Sequence, residues 1–449
     1  MREPAFLAKR ALLLGAALLV TACTTVPVEP PRRPGPVVQQ PDPQTPATPS
    51  DTDTDRDDED TRDRDPDGTE GEDEEPVVEV PDSAQPYFNN RDGLTPPHMK
   101  GRDIKRLALL LPFSADSARL REEATSMFQA AEMAVFEREA ADIVLIALDT
   151  QGRESGARSA ARAALAQGAD VILGPIIADN AEAANRVARR SGTPVISFSN
   201  DQSVAGGGTY LLSFPPEAEV ERVVRHAASQ GVTRFAYLGA DDAYGRRVRA
   251  AYESAVARVG GRITASETYD GNDIGVMQAP AQRLAELYRA DRDAFQAVLL
   301  PEGGTALRSL APLLPFNGID PARVQFMGTS RWDDPGTVRE PALNNGIFAA
   351  ADKDARAAFL ADFERVHGKK PSALASLAHD AVRIGAFVAD GDPRERADRL
   401  ESFEGFYGTD GYVRFDSSGR PERGLAVYRI RGGSFRLDDP APRGPAPES

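Results

Sequence analysis

The stretch "VILGPIIADNAEAANRVARRSGTPVISFSND", residues 171–201, decides the fold. It begins with a short apolar run closed by Gly174 and Pro175, and continues with alanine-rich sequence at helical spacing near 181–190. It ends in a second apolar run, "PVISF". An apolar run bounded by turn residues predicts a buried strand. Strand, helix and strand in succession, with both strands apolar throughout, predict parallel strands covered by helices.

The same alternation extends in both directions, from "RLALLLPF" at 106–113 to "VQFMGTS" at 324–330. It predicts an α/β fold with doubly wound parallel sheets. The predicted body, 104–437, exceeds what one hydrophobic core comfortably holds, so two lobes are expected. Alternating apolar and polar residues at 411–435, around a Ser-Ser-Gly turn, predict a β-hairpin. Residues 438–449 are predicted to be a disordered tail.

The N-terminus predicts export. A run of about ten apolar residues, 11–20, follows three basic residues and is too short to span a membrane. We therefore expect a signal peptide over 1–22, with a mobile helix of a cytosolic protein as the alternative. Cys23 is the only cysteine, so the chain has no disulfide.

Residues 23–103 are predicted to be a disordered tether. Prolines dominate first, and the block 51–75 then holds 15 acidic residues and three arginines, most of the chain's net charge of −16. Such a composition buries too little apolar surface to fold and is extended by charge repulsion. A solvated spacer is expected rather than a calcium site, because the block lacks the glycine turn and ligand spacing of a calcium loop.

The residues Val20-Thr21-Ala22-Cys23 resemble the lipobox of bacterial lipoproteins. That resemblance implies cleavage before Cys23, lipidation of its thiol and amine, and stable anchoring by several acyl chains. Thr24, in place of an aspartate, implies the periplasmic side of the outer membrane rather than retention at the inner one. An ordinary signal peptide with an incidental cysteine is the alternative.

The body resembles type I periplasmic binding proteins of the leucine-binding-protein group. Four segments carry the resemblance: "LALLLPFSADSARLREEATSMFQAAEMAVFE", "VILGPIIADNAEAANRVARRSGTPVISFSND", "RFAYLGADDAYGRRVRAAYESAVARVGGRI" and "FYGTDGYVRFDSSGRPERGLAVYRIRGGSF". It implies two doubly wound lobes, lobe 1 at about 104–215 and 350–397 and lobe 2 at about 216–349 and 398–437. Three crossings are expected near 214–217, 348–352 and 397–401.

Ligands in such sheets bind outside the carboxyl ends of the strands. The cleft candidates that follow the predicted strands are Ser114, Asp179, Asn180, Ser199, Asn200, Asp201, Tyr244, Ser330, Arg331 and Trp332. The resemblance implies that amino-acid binders hold the ligand carboxylate at the loops after "GP" and "PVIS", and the ammonium with an acid after the "F-x-G" strand.

This chain departs from that pattern in both places. Asp179 and Asp201 would repel a carboxylate, and Ser330-Arg331 stands where the acid is expected. The departures argue against a free α-amino acid and leave a cationic or polar ligand, with Trp332 or Tyr244 as a lid. Alternatively, Asp201 and Asn200 cap the following loop, and Asp179 caps the helix that begins near Asn180.

The sequence favours a binding protein over an enzyme. It has no nucleophile elbow, phosphate-binding glycine loop or metal-ligand spacing among its four histidines, so no cofactor and no metal are expected. Its negative charge disfavours nucleic acid.

Two functions remain, with a solute sensor as a third. The tether and the altered cleft favour a lipoprotein that activates a penicillin-binding protein in peptidoglycan synthesis, by resemblance to the known activators. The alternative is a substrate-binding lipoprotein of an ABC importer for amino acids or a related small solute, with an ABC permease as partner.

Overall fold

A computed structural model describes residues 96–138, 142–392 and 394–445. The predicted signal peptide, Cys23, the acidic block and nearly all of the tether lie outside these ranges. Within them, no helix combines the length and apolar character that a membrane span requires.

Lobe 1 begins with a five-stranded parallel sheet in the order β2-β1-β3-β4-β5. Its first strand is buried at every residue, as the continuous apolar run predicts. The strands are β1 (Lys105–Leu111), β2 (Ile143–Asp149), β3 (Val171–Leu173), β4 (Val195–Ser197) and β5 (Thr209–Leu211). The intervening helices are α1 (Ala118–Phe136), α2 (Glu154–Ala166) and α3 (Ala178–Ala188).

The chain then crosses at 213–215 and forms lobe 2, whose first five strands are parallel neighbours. Pro216 occupies the first turn of the opening helix, where a missing N–H is tolerated. The helices are α4 (Pro216–Ser229), α5 (Ala243–Arg258), α6 (Ile274–Ala290), α7 (Gly304–Leu310) and α8 (Leu313–Phe316). The strands are β6 (Arg234–Ala240), β7 (Arg262–Tyr269), β8 (Ala297–Leu299), β9 (Gln325–Gly328) and β10 (Ile347–Ala350).

A second crossing at 351–352 returns the chain to lobe 1. The helices here are α9 (Lys353–His367), α10 (Ala375–Ala389) and α11 (Glu395–Leu400). A small antiparallel sheet follows, formed by β11 (Phe406–Gly408), β12 (Gly411–Phe415) and β13 (Pro421–Arg423). Val413 and Phe415 lie in the same buried cluster as Leu107 and Leu173, so this sheet belongs to lobe 1.

The third crossing lies at 424–425, and the expectation of a crossing near 397–401 was wrong. After it, β14 (Ala426–Arg431) and β15 (Ser434–Asp439) complete the lobe 2 sheet in the order β15-β14-β10-β9-β8-β6-β7. The single predicted hairpin at 411–435 is therefore two ribbons, one on each lobe. The predicted disordered tail is also too long, because β15 reaches Asp439 and Ala441 packs against the lobe 2 core.

Candidate functional site

The carboxyl ends of the parallel strands define one edge of each lobe. In lobe 1 this edge is made by the loops after β1, β2, β3 and β4, and in lobe 2 by the loops after β6, β8 and β9 together with the start of α4. All ten predicted cleft residues lie in these loops or in the first turns of the helices that follow, but the side chain of Trp332 is buried in the core.

In lobe 1, Ser114 and Asp149 bind each other. The Ser114 backbone N–H and hydroxyl both donate to the Asp149 carboxylate. Burial would raise the pKa of Asp149, but the hydrogen bonds from Ser114 and from the Gln151 backbone N–H hold it below its ordinary value. Ser114 is exposed, and its hydroxyl serves this local contact.

The start of α3 offers backbone N–H groups, rather than a carboxylate, to a ligand. Ile177 is the N-cap residue and supplies no side-chain hydrogen bond, so the N-cap residue leaves the first-turn N–H groups uncapped. Asp179 is exposed in the first turn and does not cap the helix, contrary to that alternative. Asn180 is buried, and among the described residues its Nδ2 has no hydrogen-bond partner.

The loop after β4 uses its polar side chains locally. The Ser199 hydroxyl accepts from the Asp201 backbone N–H at 3.2 Å. Asp201 caps the short 3₁₀ helix Gln202–Val204 by accepting from the Ser203 N–H at 2.9 Å. The hydrogen bonds from Ser203 lower the pKa of Asp201, with a smaller contribution from the charge of Arg247. The capping interpretation of Asp201 is confirmed, and its negative charge is already compensated.

Arg247 joins the two lobes beside this loop. Its guanidinium donates to the Asn200 carbonyl of lobe 1 and pairs with Glu217 of lobe 2, Nη2 to Oε2 at 2.8 Å. The contribution of Asn200 is therefore its backbone carbonyl.

In lobe 2, a buried acid that sequence reasoning missed lies at the loop after β9. Glu219, in the first turn of α4, is only 3% exposed. Its Oε2 accepts the Ser330 backbone N–H at 2.9 Å. No basic side chain of the described residues lies within ion-pair distance of it. Burial raises its pKa to about 7, despite the hydrogen bonds from Ser330 and a smaller effect of the charge of Arg331.

Glu219 therefore supplies an acid at the position where Ser330-Arg331 appeared to leave none. This acid lies on α4, the helix that follows the first crossing, and not in the loop after β9. The only sequence signal was an acid in the first turn after Pro215-Pro216, directly after the stretch interpreted as a crossing segment.

Tyr244 and Arg331 cover this acid. The Tyr244 hydroxyl lies 3.1 Å from the Thr329 hydroxyl, and the Arg331 guanidinium stacks 3.7 Å from the centre of the tyrosine ring. Burial raises the pKa of Tyr244 to about 12, with a further contribution from the charge of Glu219. Arg331 is exposed, and its charge acts on Glu219 to lower the pKa that burial raises.

A second acid of lobe 2, Glu302, is also buried. Its Oε1 accepts from the Ala240 backbone N–H at 2.9 Å, at the end of β6. Burial, followed by the charge of Glu302, raises the pKa of Tyr269 at the end of β7.

Trp332 is a core residue, and the expectation of a cleft lid was wrong for it. Its side chain has no exposed surface, and its Nε1 donates to the Leu300 carbonyl at 3.0 Å. Its ring packs against Phe348 in the lobe 2 core. A Cβ at Gly328 would come within 2.2 Å of the indole, so this glycine leaves the space that the ring fills.

Among the described residues, no group of three histidine, cysteine or acidic side chains is placed to hold a metal ion. The edges instead offer uncapped backbone N–H groups in lobe 1 and a buried carboxyl group with aromatic cover in lobe 2. Such a pair of surfaces suits a small molecule with oppositely charged ends.

Comparisons with known proteins agree with this architecture. The family model described as "Periplasmic binding protein" matches residues 106–434. No curated protein sequence matches the chain. A Rhodospirillum rubrum structure, assigned as a branched-chain amino acid ABC transporter, superposes with a TM-score of 0.64 at 19% identity, covering 74% of this chain and 99% of its own.

Two further solved structures are similar. A Sphaerobacter thermophilus ABC transporter substrate-binding protein has a TM-score of 0.59 at 18% identity and covers 76% of this chain and 98% of its own. A Desulfitobacterium hafniense substrate-binding protein in complex with Leu has a TM-score of 0.55 at 18% identity, with 74% and 99% coverage. At these identities the likeness shows the fold.

Proposed function

The chain belongs to the periplasmic binding protein family, and on that premise we propose that its body is the solute-binding component of an ABC importer. The solute is an amino acid or a related small molecule that carries an ammonium group. The role is binding without catalysis, and the partner is an ABC permease.

The observation that carries this proposal is Glu219. A buried carboxyl group without an ion-pair partner is unfavourable unless it is protonated or meets a cation. An ammonium group placed beside Ser330 would provide that cation and would exchange with the Arg331–Tyr244 cover. The missing acid after β9 argued against an amino acid as the ligand. Glu219 of α4 supplies an acid at that place.

The carboxylate end of the solute fits the start of α3. The N-cap residue there leaves the first-turn N–H groups uncapped, and a helix N-terminus favours a negative group. Asp179, the expected source of repulsion, is exposed, and Asp201 is bound to its own loop.

Activation of a penicillin-binding protein is the weaker proposal. It rested on the tether, which lies outside the described residues, and on a cleft altered against amino acids. Glu219 reverses the second argument, and the similar solved structures include substrate-binding proteins. Anchoring through lipid at Cys23 to the outer membrane is compatible with either function and is tested by fractionation of cells expressing Cys23→Ser. Membrane attachment that persists in this variant contradicts the lipid anchor.

The solute proposal is tested with the full chain carrying Cys23→Ser. Each of the proteinogenic amino acids is added separately at pH 7.5, and thermal unfolding identifies those that stabilise the protein by binding. The best amino acid is then compared by calorimetry with its desamino and decarboxylated analogues.

We expect the amine to retain measurable affinity and the desamino acid to lose it. Glu219→Gln should weaken binding at least tenfold, whereas Glu253→Gln, an exposed acid on α5, should leave it unchanged. Absence of binding by every amino acid and by their decarboxylated amines would reject the proposal. In that case, capture of a purified penicillin-binding protein by the lipidated chain, with stimulation of its synthase activity, would support activation instead.

A further inference from the structure

The three crossings between the lobes converge on one group of side chains. Phe214 lies in the first crossing and packs against the cores of both lobes. Arg356 lies one turn after the second crossing, and Arg423 ends β13 just before the third. Both guanidinium groups approach the Phe214 ring, with Cζ-to-centroid distances of 6.0 Å for Arg356 and 3.8 Å for Arg423.

Arg423 is buried without a hydrogen-bond partner. Its side chain is only 8% exposed, and none of its three guanidinium nitrogens finds an acceptor among the described residues. Its cover is the Phe214 ring. Burial lowers the pKa of Arg423 to about 10, although the charges of Asp410 and Asp380 act against this.

The carboxylate of Asp410 lies near Arg423, and only one of its two oxygens has a hydrogen-bond partner among the described residues. Asp410 is fully buried, and its Oδ1 accepts from Arg356 Nε. Its Oδ2 has no partner among the described residues. The nearby Asp380 accepts the Thr409 backbone N–H with its Oδ1 at 2.8 Å. Within this group, Asp410 Oδ2 is the buried acceptor without a partner among the described residues, and the Arg423 guanidinium is the buried donor.

An unpaired buried guanidinium beside an unpaired carboxylate oxygen is an unfavourable arrangement. Stacking on an aromatic face compensates for part of that penalty. The ring that provides the stacking belongs to a crossing segment, and such segments change conformation when lobes rotate. Movement of Phe214 away from Arg423 would release the guanidinium toward Asp410.

We propose that Arg423 is a two-position latch of the hinge: it stacks on Phe214 in the lobe arrangement described here and pairs with Asp410 in a second arrangement. The relative stability of the two contacts then sets the population of each arrangement before any solute binds. This latch is independent of the identity of the solute.

The test measures the distance between the lobes without ligand. Spin labels are placed on cysteines at Asp116 and Asn272, exposed positions at the carboxyl edges of the two lobes, in the full chain carrying Cys23→Ser. Double electron–electron resonance is recorded for the parent, Phe214→Leu, Arg423→Met and the double variant. Arg420→Met, an exposed arginine in the preceding turn, is the matched control.

Phe214→Leu removes the stacking partner, so we expect the ratio of the second distance to the first to rise roughly tenfold. Arg423→Met should remove the second distance, and the double variant should resemble Arg423→Met. Arg423→Gln serves as a second variant without the charge, and the thermal unfolding of each protein verifies its fold. The latch is rejected if Phe214→Leu has the parent distribution, or if the second distance survives in the double variant.

Discussion

The carboxyl edges of lobe 1 and lobe 2 use their acidic side chains in opposite ways. In lobe 1, Asp149 and Asp201 accept hydrogen bonds from their own or a neighbouring loop, and those bonds hold their pKa values low. In lobe 2, Glu219 is buried, has no ion-pair partner within the part of the chain that the structure describes, and has a pKa that burial raises. An acid at a strand end is thus a structural feature of one lobe and a candidate recognition group in the other.

The difference shows that the number of acidic side chains near a cleft does not predict whether the cleft prefers a positively or a negatively charged ligand group. An acid whose oxygens are filled by neighbouring N–H groups is already compensated. An acid that lacks such compensation favours a cation. The predictions below test this contrast, beginning with the residue expected to have the largest effect.

Trp332→Ala should lower the free energy of unfolding by about 3–5 kcal/mol, because it empties a filled core position and removes the hydrogen bond to Leu300. Denaturant unfolding measures the loss. Trp332→Phe should keep solute affinity. If it instead keeps stability and abolishes binding, Trp332 belongs to the lobe 2 edge after all.

Glu219→Gln should make stability less dependent on pH. The folded pKa of about 7 lies above the ordinary value of 4.5, so the native state binds the extra proton between these values. Wild-type stability therefore falls as pH rises through this window, and the full penalty is present above pH 7. The variant should be more stable than wild type at pH 8, by a few kcal/mol at most, and about equal at pH 4.5.

Urea unfolding at the two pH values measures this difference. Glu253→Gln should show no comparable change. A Glu219→Gln protein that is less stable than wild type at pH 8 would mean that the ionised carboxylate is compensated in the folded state.

Asp201→Ala should destabilise the protein by about 1 kcal/mol at pH 7, the usual effect of losing a capping side chain. The folded pKa of Asp201 is depressed, so this stabilisation is present above the unfolded pKa and is lost as pH falls through the folded pKa. Unfolding at pH 7 and pH 3 tests the sign. A constant difference at both values would exclude the charge as its source.

Asp179→Asn should change stability by less than about 0.5 kcal/mol, as an exposed substitution without a capping role. It should leave affinity for a zwitterionic solute unchanged or slightly improved. A large loss of affinity, seen by calorimetry, would place Asp179 in direct contact with the solute's cationic end.

Much of the fold could be predicted from sequence because its strands are short, apolar and bounded by turn residues. The stretch 171–201 forms the predicted β3-α3-β4 unit. The third crossing was missed because the alternating pattern runs without interruption through Gly424, so two ribbons on different lobes resemble one hairpin. The packing of Val413 and Phe415 in lobe 1 and the pairing of β14 with β10 in the lobe 2 sheet distinguish them.

The residues of the site were harder to predict, because membership depends on whether a side chain points into the core or toward the carboxyl edge of its lobe. Trp332 has polar neighbours in sequence, but a 3₁₀ turn directs its ring inward between Gly328 and Gly346. Glu217, Glu219 and Glu221 look equivalent in α4, and only contact with the loop after β9 singles out Glu219.

The central claim is that Glu219 binds the ammonium group of a small solute, and proton release on binding tests it most directly. Titration calorimetry at pH 7 is performed with the stabilising amino acid in buffers of different ionisation enthalpy. Because the pKa of Glu219 lies near this pH, we expect a fraction of a proton to be released per solute bound, and none in Glu219→Gln. Binding without proton release, or with the same release in the variant, would contradict the account.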